Sequence, residues 1–467
     1  MRNMANTLIV GSGPAGIFAA HELANCVDSE EILILEKGLD LARRHCPDSQ
    51  RHSGICERCD IMHGWGGPGF YIDAKLCLDS NVGTKLGTDT FNSETELIKY
   101  VDQIIEDYLS LANIQTHINY IMAERADEEI RRFAAANLEL TLYPVRSLGS
   151  DIGRIFARTI KSKLDTAGVK VGFGNEVIDI VPKGKFIEVY SQSVKGTIKK
   201  FMANNVILAP GRSGARAMQR WCRKFGIKLT QNPLDIGVRL EFPREVGDNF
   251  GKLGSNPKIK RWKSEDSYVK THCFCPGGYV LSYQIVYPDD IVRIVDGHSY
   301  SSHDSINSNI NIFFRQKYPE HCDAVQIGSS IVRNVNHIGR GYPLLQLLGD
   351  LRIGKATTWS SLDKNYVQPT LPIFSLQDIN LVYPRGIINS ILEFLDTLEQ
   401  LVPGINSDET LVYAPAVEWC VKRVATNNSM QTNVDGLYVA GDGAGLTQGV
   451  VAAAVTGILA AKSIIGD

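Results

Sequence analysis

Thr7-Leu8-Ile9-Val10-Gly11-Ser12-Gly13-Pro14-Ala15-Gly16 is the stretch that decides the fold: an apolar, β-prone run breaks on a glycine turn spaced G-x-G-x-x-G. Working outward, Ile17, Ala20 and Leu23 recur at helical spacing, and Ile32-Leu33-Ile34-Leu35 reads as a second strand closing at Glu36. The pattern is a complete strand–helix–strand opening. In such a unit Gly11 permits the tight turn, Gly13 lets the backbone approach a pyrophosphate, and Gly16 lets helix pack closely on strand. The helix N-terminus then faces the phosphates. Glu36, ending the second strand, is placed to accept hydrogen bonds from both hydroxyls of an adenosine ribose, and an acid there selects a ribose without a 2′-phosphate.

NAD and FAD both satisfy that much, so the far end of the chain decides between them. Gly436-Leu437-Tyr438-Val439-Ala440 reads as a strand running into Gly441-Asp442-Gly443-Ala444-Gly445, and an apolar helix follows from Gly449 to Ala461. This segment resembles the second FAD signature of the glutathione-reductase-like flavoproteins. The resemblance implies that Asp442 binds the ribityl chain and that the following helix points its N-terminus at the flavin. A helix end carries about half a positive charge and stabilises a nearby anion by roughly 0.3 to 1 kcal/mol, so it tunes the flavin rather than deciding its chemistry.

The chain of 467 residues has 49 Lys plus Arg against 51 Asp plus Glu, a formal charge of −2, which argues against broad phosphate neutralisation by a nucleic-acid binder. Its 44% hydrophobic and 21% charged fractions are those of a globular protein with a large core. Ten cysteines are too few for a disulfide scaffold, and no signal-peptide pattern precedes the first strand, so a cytoplasmic protein with reduced thiols is expected. The Gly449 to Ala461 run is short for a membrane span.

These patterns predict an α/β protein: a Rossmann-like FAD-binding domain, discontinuous in sequence, with an inserted α+β substrate domain. The expected division is 1–92, 148–235 and 405–467 for the FAD-binding parts, 93–147 for a helical insertion, and 236–404 for the substrate domain. That last region is read as short strands with fewer long helices. Gly64-Trp65-Gly66-Gly67-Pro68-Gly69 has no apolar strand before it, and Gly211-Arg212-Ser213-Gly214 has the wrong spacing, so a second dinucleotide unit is not evident. If a nicotinamide (NAD(P)H) takes part, it binds transiently at the active site.

With these motifs the chain resembles, over nearly its whole length, a family of largely uncharacterised FAD-dependent dehydrogenases, the NAD(P)/FAD-dependent oxidoreductases. The resemblance rests on the opening fingerprint, the Cys56 to Leu76 segment, Cys273-Phe274-Cys275-Pro276-Gly277-Gly278, and Ala440 to Gly449. It implies hydride transfer between a small organic substrate and flavin N5. Candidate cofactor contacts are Gly11, Ser12, Gly13, Pro14, Ala15, Gly16, Glu36, Lys37, Arg44, Gly66, Gly67, Val177, Ala209, Gly211, Gly441, Asp442, Gly449, Val450 and Val451. Where the family reads Gly-Gly-Ala-Gly and then Phe-Ser-Asp-Gly-Lys-Leu, this chain has Gly66-Gly67-Pro68-Gly69 and Tyr71-Ile72-Asp73-Ala74-Lys75-Leu76. A hydroxyl has become Ile72 in a loop that the resemblance puts beside the flavin, which points to a specialised biosynthetic role.

Hydride removal from carbon needs a partner for the accompanying proton, and the candidates are Asp73, Lys75, Tyr71 and His63. Cys273 and Cys275 flank Phe274 in an expected strand, so both thiols face one side as candidate substrate-cavity residues, with His272 on the other. Cys46, Cys56, Cys59 and His63 offer four soft or borderline ligands, but packing outweighs zinc or redox thiols there, and no metal is expected. Glu418 reads as a salt-bridge partner. Lys258-Ile259-Lys260-Arg261-Trp262-Lys263 reads as a solvated loop, and the expected partner is a small molecule, with no nucleic acid and no membrane. Rival readings are a flavin monooxygenase and a non-catalytic binding protein on the same fold, as in the relatives of GDP-dissociation inhibitor.

Overall fold

The computed structural model describes residues 4–46, 59–83, 86, 91–287, 290–418 and 421–466. The opening strand, Met4–Val10, lies between Ile32–Glu36 and Ile198–Leu208, all three parallel, and Lys170–Phe173 extends the row beyond Ile32–Glu36. Leu8, Ile9, Leu33 to Leu35 and Val206 to Leu208 are all buried, which is why these strands are apolar at successive positions: a parallel strand covered on both faces has no side to leave wet.

The strand Ile198–Leu208 changes partner along its length. Its first half, Ile198 to Ala203, pairs antiparallel with Phe186–Ser193, itself paired with Asn175–Lys183, while Val206 to Leu208 pairs parallel with Leu437–Val439. The last strand therefore joins the sheet that the first one begins, as the discontinuous reading expects. The closing helix, Val450–Ile465, packs on the opening helix, Pro14–Ala24. Contact is close because a Cβ on Gly457 would sit 2.1 Å from the Ala15 carbonyl oxygen. The closing helix is buried almost all round, and no helix among the described residues is long and apolar enough to cross a membrane.

A second sheet runs in the order Ser375–Leu376, Leu344–Leu347, Leu411–Glu418, Leu234–Pro243, Asn307–Gln316, Ser267–Cys275, Lys258–Ser264, Glu139–Thr141. Leu234–Pro243 shows how it is built. Leu234, Ile236, Val238, Leu240 and Phe242 join the apolar core, which also takes in residues of the helices Ala324–Ile338 and Arg385–Glu399. Asp235, Arg239 and Glu241, at the alternate positions, are just as buried on the opposite face. Their charges are answered locally, since Glu241 accepts from Asn307 Nδ2 (2.9 Å), Thr370 Oγ1 (2.6 Å) and Tyr413 OH (2.5 Å).

Two details differ from the sequence reading. Strands of nine and ten residues and two 15-residue helices occupy the region read as short strands with fewer long helices. The basic run from Lys258 is a strand, with Lys260 and Lys263 paired to Glu139 and Glu393, because alternation hands Ile259 to the core while its neighbours reach polar partners. Beyond Tyr71–Leu76 the expected helices lie at Phe91–Leu111 and Ala123–Ala135.

Candidate active site

A cavity of about 540 Å³ opens where the C-terminal ends of Met4–Val10 and Ile198–Leu208 meet, roofed by the polar face of the second sheet. This is the switch point at which connections leave adjacent parallel strands in opposite directions, the usual crevice of a doubly wound sheet. Gly11, with φ +97°, makes the turn, and a Cβ on it would lie 2.3 Å from the Ala209 carbonyl oxygen. On Gly16 a Cβ would lie 2.0 Å from the Gly11 carbonyl oxygen. Gly13 is different: a Cβ there meets nothing within 4 Å, and the same holds at Gly211 and Gly449. These three bare positions line the cavity, so it is empty space, not packing, that their lack of side chains preserves.

The two glycine turns are in contact, since a Cβ on Gly441 would stand 3.0 Å from that of Ala15. Both flanking helices begin at the cavity wall, at Pro14 and Val450, and aim their N-termini there. Ser12, Ala15, Glu36, Lys37, Gly67, Val177 and Ala209 line it too; Gly16, Gly66 and Val451, also expected as contacts, do not. Glu36 accepts four hydrogen bonds: Oε2 from the Ser12 amide and hydroxyl, both 2.9 Å, and Oε1 from the amides of Gly38 (2.7 Å) and Gly64 (3.0 Å). Its carboxylate thus ties the glycine turn to the loop at Gly64.

Arg44 is buried away from the cavity and fastens that same loop, donating to the carbonyls of Asp60 (3.0 Å), Ile61 (2.9 Å), Trp65 (2.5 Å) and Gly67 (3.1 Å). Burial pulls its pKa down to about 10. Its guanidinium carbon sits 3.9 Å from the centroid of the Tyr71 ring, which is buried beside it and off the cavity wall. Trp65 is fully buried and donates from Nε1 to Ala157 O at 2.7 Å. Gly66 N reaches Ser12 O at 2.9 Å, which holds the loop over the first turn.

Asp442 accepts from Thr447 Oγ1 (2.8 Å) and from Arg212 Nε (3.3 Å), and burial raises its pKa despite the Arg212 charge. Arg212 also reaches Glu418 Oε1 at 3.2 Å, so the salt bridge expected of Glu418 is present, on the cavity wall. Burial pushes the Glu418 carboxyl up, but Lys270 and Arg212 outweigh it and hold it down to about 2.

The candidate proton-handling loop meets the candidate substrate strand. Lys75 Nζ lies 2.6 Å from Asp73 Oδ2, 2.5 Å from Phe274 O and 3.3 Å from Cys275 Sγ. Asp73 Oδ1 accepts from Ser299 N (3.0 Å) and Oγ (2.7 Å), and the Cys273 and Cys275 thiols each stand 3.6 Å from Oδ2. Although burial raises the Asp73 pKa, Lys75 and Ser299 lower it more, and Asp73 in turn raises that of Lys75. Cys273 is lowered by the Cys275 thiol, whereas burial drives Cys275 up. Cys273 lines the cavity; Cys275 sits behind it, 3.1 Å from Arg239 Nη2.

Simple alternation does not produce this convergence. Pairing with Asn307–Gln316 slips between His272 and Cys275, and Cys273 has φ +52°, so a bulge turns the strand. His272 consequently lines the cavity instead of facing away as expected. Asp73 (φ +58°) and Ala74 (φ +30°) are also left-handed, a conformation that costs roughly 1–3 kcal/mol per residue and clusters at functional sites. Among the described residues, Asp73, Cys273 and Cys275 form a group with metal-ligating atoms within 4.8 Å of one another. Lys75 and Arg239 already supply positive charge to it, so a further cation is disfavoured there.

His63 is buried and lines the cavity; Cys59 is buried and Cys46 half-buried, while Cys56 lies outside the described residues. Sequence reasoning passed over Arg239, Lys270 and Arg315, and read Lys258 as part of a solvated loop, whereas Lys258, Lys270 and Arg315 line the cavity. The available signal was charge confined to alternate positions of an otherwise apolar strand, as with Asp235, Arg239 and Glu241 in Leu234 to Phe242.

No family model matches the chain. A protein of Clostridium beijerinckii (strain ATCC 51743 / NCIMB 8052), described as an uncharacterized protein, is 25% identical over 494 residues, covering 99% of this chain and 81% of its own. Similar solved structures, each matched over 99% of this chain, include a flavoprotein/dehydrogenase from Cytophaga hutchinsonii (11% identity, 78% of that chain, TM-score 0.43). Glycine oxidase from Geobacillus kaustophilus (13%, 94%, 0.40) and the glycerol-3-phosphate dehydrogenase from Bacillus halodurans complexed with FAD (10%, 64%, 0.40) are also similar. Likeness this distant leaves the chemistry to the residues that line the cavity.

Proposed function

We propose that the chain binds FAD in this cavity and acts as an oxidoreductase, moving a hydride between a small organic substrate and flavin N5. The observation that carries this reading is the meeting of two glycine turns, Gly11 to Gly16 and Gly441 to Gly449, on one cavity with two helix N-termini aimed into it. Open space over Gly13 and Gly449 fits a diphosphate against backbone amides, which a helix N-terminus favours. Glu36 would hold the adenosine ribose, with the rotatable Ser12 hydroxyl as the bond that a ribose hydroxyl replaces. Asp442, already oriented by Thr447 and Arg212, would take the ribityl chain.

Bound there, FAD supplies the two-electron chemistry, and the protein supplies position and electrostatics. The second sheet roofs the cavity with its polar face. Asp73 and Lys75 form a buried ion pair beside the cavity, Nζ to Oδ2 2.6 Å, with the proton resting on Lys75, so the Asp73 carboxylate would be the group that accepts a proton lost from substrate carbon or oxygen. A nicotinamide donor, where one is used, enters the same cavity transiently.

The test is the visible spectrum of the purified chain, the flavin it releases on denaturation, and anaerobic titration with NADH, NADPH and candidate metabolites. Yellow protein bleached by a metabolite supports a dehydrogenase. Bleaching by a nicotinamide with oxygen-dependent hydroxylation moves the reading to a monooxygenase. Colourless protein that takes up no FAD overturns it.

A further inference from the structure

The cavity roof carries an ammonium that no carboxylate answers among the described residues. Lys270 pairs with Asp235 at 2.8 Å, Arg315 binds the same carboxylate through Nε and Nη2, each at 2.5 Å, and Arg212 bridges Glu418 and Asp442. Lys258, beside them on the wall, has no carboxylate among the described residues within ion-pair distance. Its neighbour is His272, whose Nδ1 lies 3.2 Å from Nζ. An ammonium can only donate, so His272 accepts at Nδ1, is neutral, and carries its proton on Nε2, which lies 3.6 Å from Glu418 Oε1. Burial and the two lysines keep the His272 pKa well below its ordinary value.

Lys258 is half-buried, and an ammonium so placed without a counter-ion is costly unless something binds it. Burial and the Lys270 charge lower the Lys258 pKa, as expected for a cation that still awaits its counter-ion. We infer that the cavity takes a small organic monocarboxylate, anchored through its carboxylate by the Lys258 ammonium. One unanswered ammonium matches a monoanion, whereas a phosphate dianion would leave a negative charge unanswered beside it. Anchored there, the substrate lies between the Lys258–His272 wall and the Asp73–Lys75 pair, which places its reacting carbon within the same cavity as the proton acceptor. This inference names the substrate class of the site proposed above and rests on that reading.

The experiment is isothermal titration of the FAD-loaded protein with formate, acetate, benzoate, benzyl alcohol and inorganic phosphate, on wild type, Lys258→Met and Lys258→Arg. The expected result is carboxylate binding that weakens about 10- to 100-fold in K258M, the usual worth of a charge-assisted hydrogen bond, and largely returns in K258R. Benzyl alcohol should bind wild type and K258M alike. Ligand-free K258M should melt no lower than wild type, since it loses an unpaired charge, whereas a purely structural lysine would lower the melt. Equal carboxylate affinity in wild type and K258M, no binding by any of the three carboxylates, tighter binding of phosphate, or a lower K258M melt overturns the inference. A chain that takes up no FAD yet shows Lys258-dependent carboxylate binding refutes the flavin reading alone. FAD uptake with Lys258-independent binding refutes only the anchor.

Discussion

Alanine at Gly13 and at Gly16, three positions apart in one turn, should separate cofactor binding from folding. Gly13 has φ −76° and ψ −175°, open to any residue, and its new Cβ meets no protein atom within 4 Å. The methyl group faces the cavity, where it competes with the diphosphate. Overpacking of that kind costs about 1–3 kcal/mol, which is about 5- to 150-fold in FAD affinity. Gly16 offers no such room, because its Cβ would stand 2.0 Å from the Gly11 carbonyl oxygen and must push helix from strand. The assay is FAD binding by equilibrium dialysis together with thermal unfolding of the cofactor-free proteins. Apo G13A should melt with wild type and bind FAD weakly; apo G16A should melt lower before any cofactor is added. If G13A holds FAD as tightly as wild type, or melts as low as G16A without it, the diphosphate does not lie over Gly13 and the reasoning fails.

Asp73→Asn should slow substrate-driven flavin reduction by at least about 100-fold in stopped-flow measurements if the carboxylate accepts the proton, and an unchanged rate removes it from that role. Lys75→Met leaves the buried Asp73 carboxylate without its ammonium and should destabilise the fold by ~3–5 kcal/mol, with the double variant recovering part of the loss in denaturant titrations. Glu418 is held to about 2 against an ordinary 4.5, so its contribution is complete above pH 4.5 and lost as pH falls toward 2, on the order of 3 kcal/mol. E418Q should flatten that stretch of the acid-unfolding curve, and an unaltered curve rejects the ion-pair account. Trp65→Ala should cost ~3–5 kcal/mol in urea unfolding, because a fully buried indole and its bond to Ala157 are both removed; a loss below about 1 kcal/mol would show that the site collapses freely.

How much of this was legible in the sequence depended on how local each feature is. The strand, turn and helix at Thr7 to Leu23 obey short-range rules, and the structure follows them closely. The return of Leu437–Val439 to the first sheet could be inferred only because its own glycine turn announced a matching role. Arg44 shows the limit: a charged residue near the glycine motif reads as a cofactor contact, yet it makes four hydrogen bonds to carbonyls of a loop that closes in three dimensions. His272 was misplaced for a similar reason. Strand alternation assigns its face correctly until a bulge intervenes, and the positive φ at Cys273 belongs to a non-glycine residue that carries no sequence mark. The carpet of buried charge on the second sheet becomes visible only once eight strands fix which alternate positions face one another.

The cradle's two halves are separated by nearly the entire polypeptide, and this sets the order of events at the ribosome. Gly16 and Gly441 are about 425 residues apart; at roughly 5–20 residues per second the first half waits about 20–85 s for its counterpart to be synthesised. Through that interval the nascent parallel strands must persist without the coenzyme to brace them. On the proposed reading FAD can be gripped only after Gly441 has been made, so whatever guards the half-built sheet from aggregation has to act before the cofactor binds.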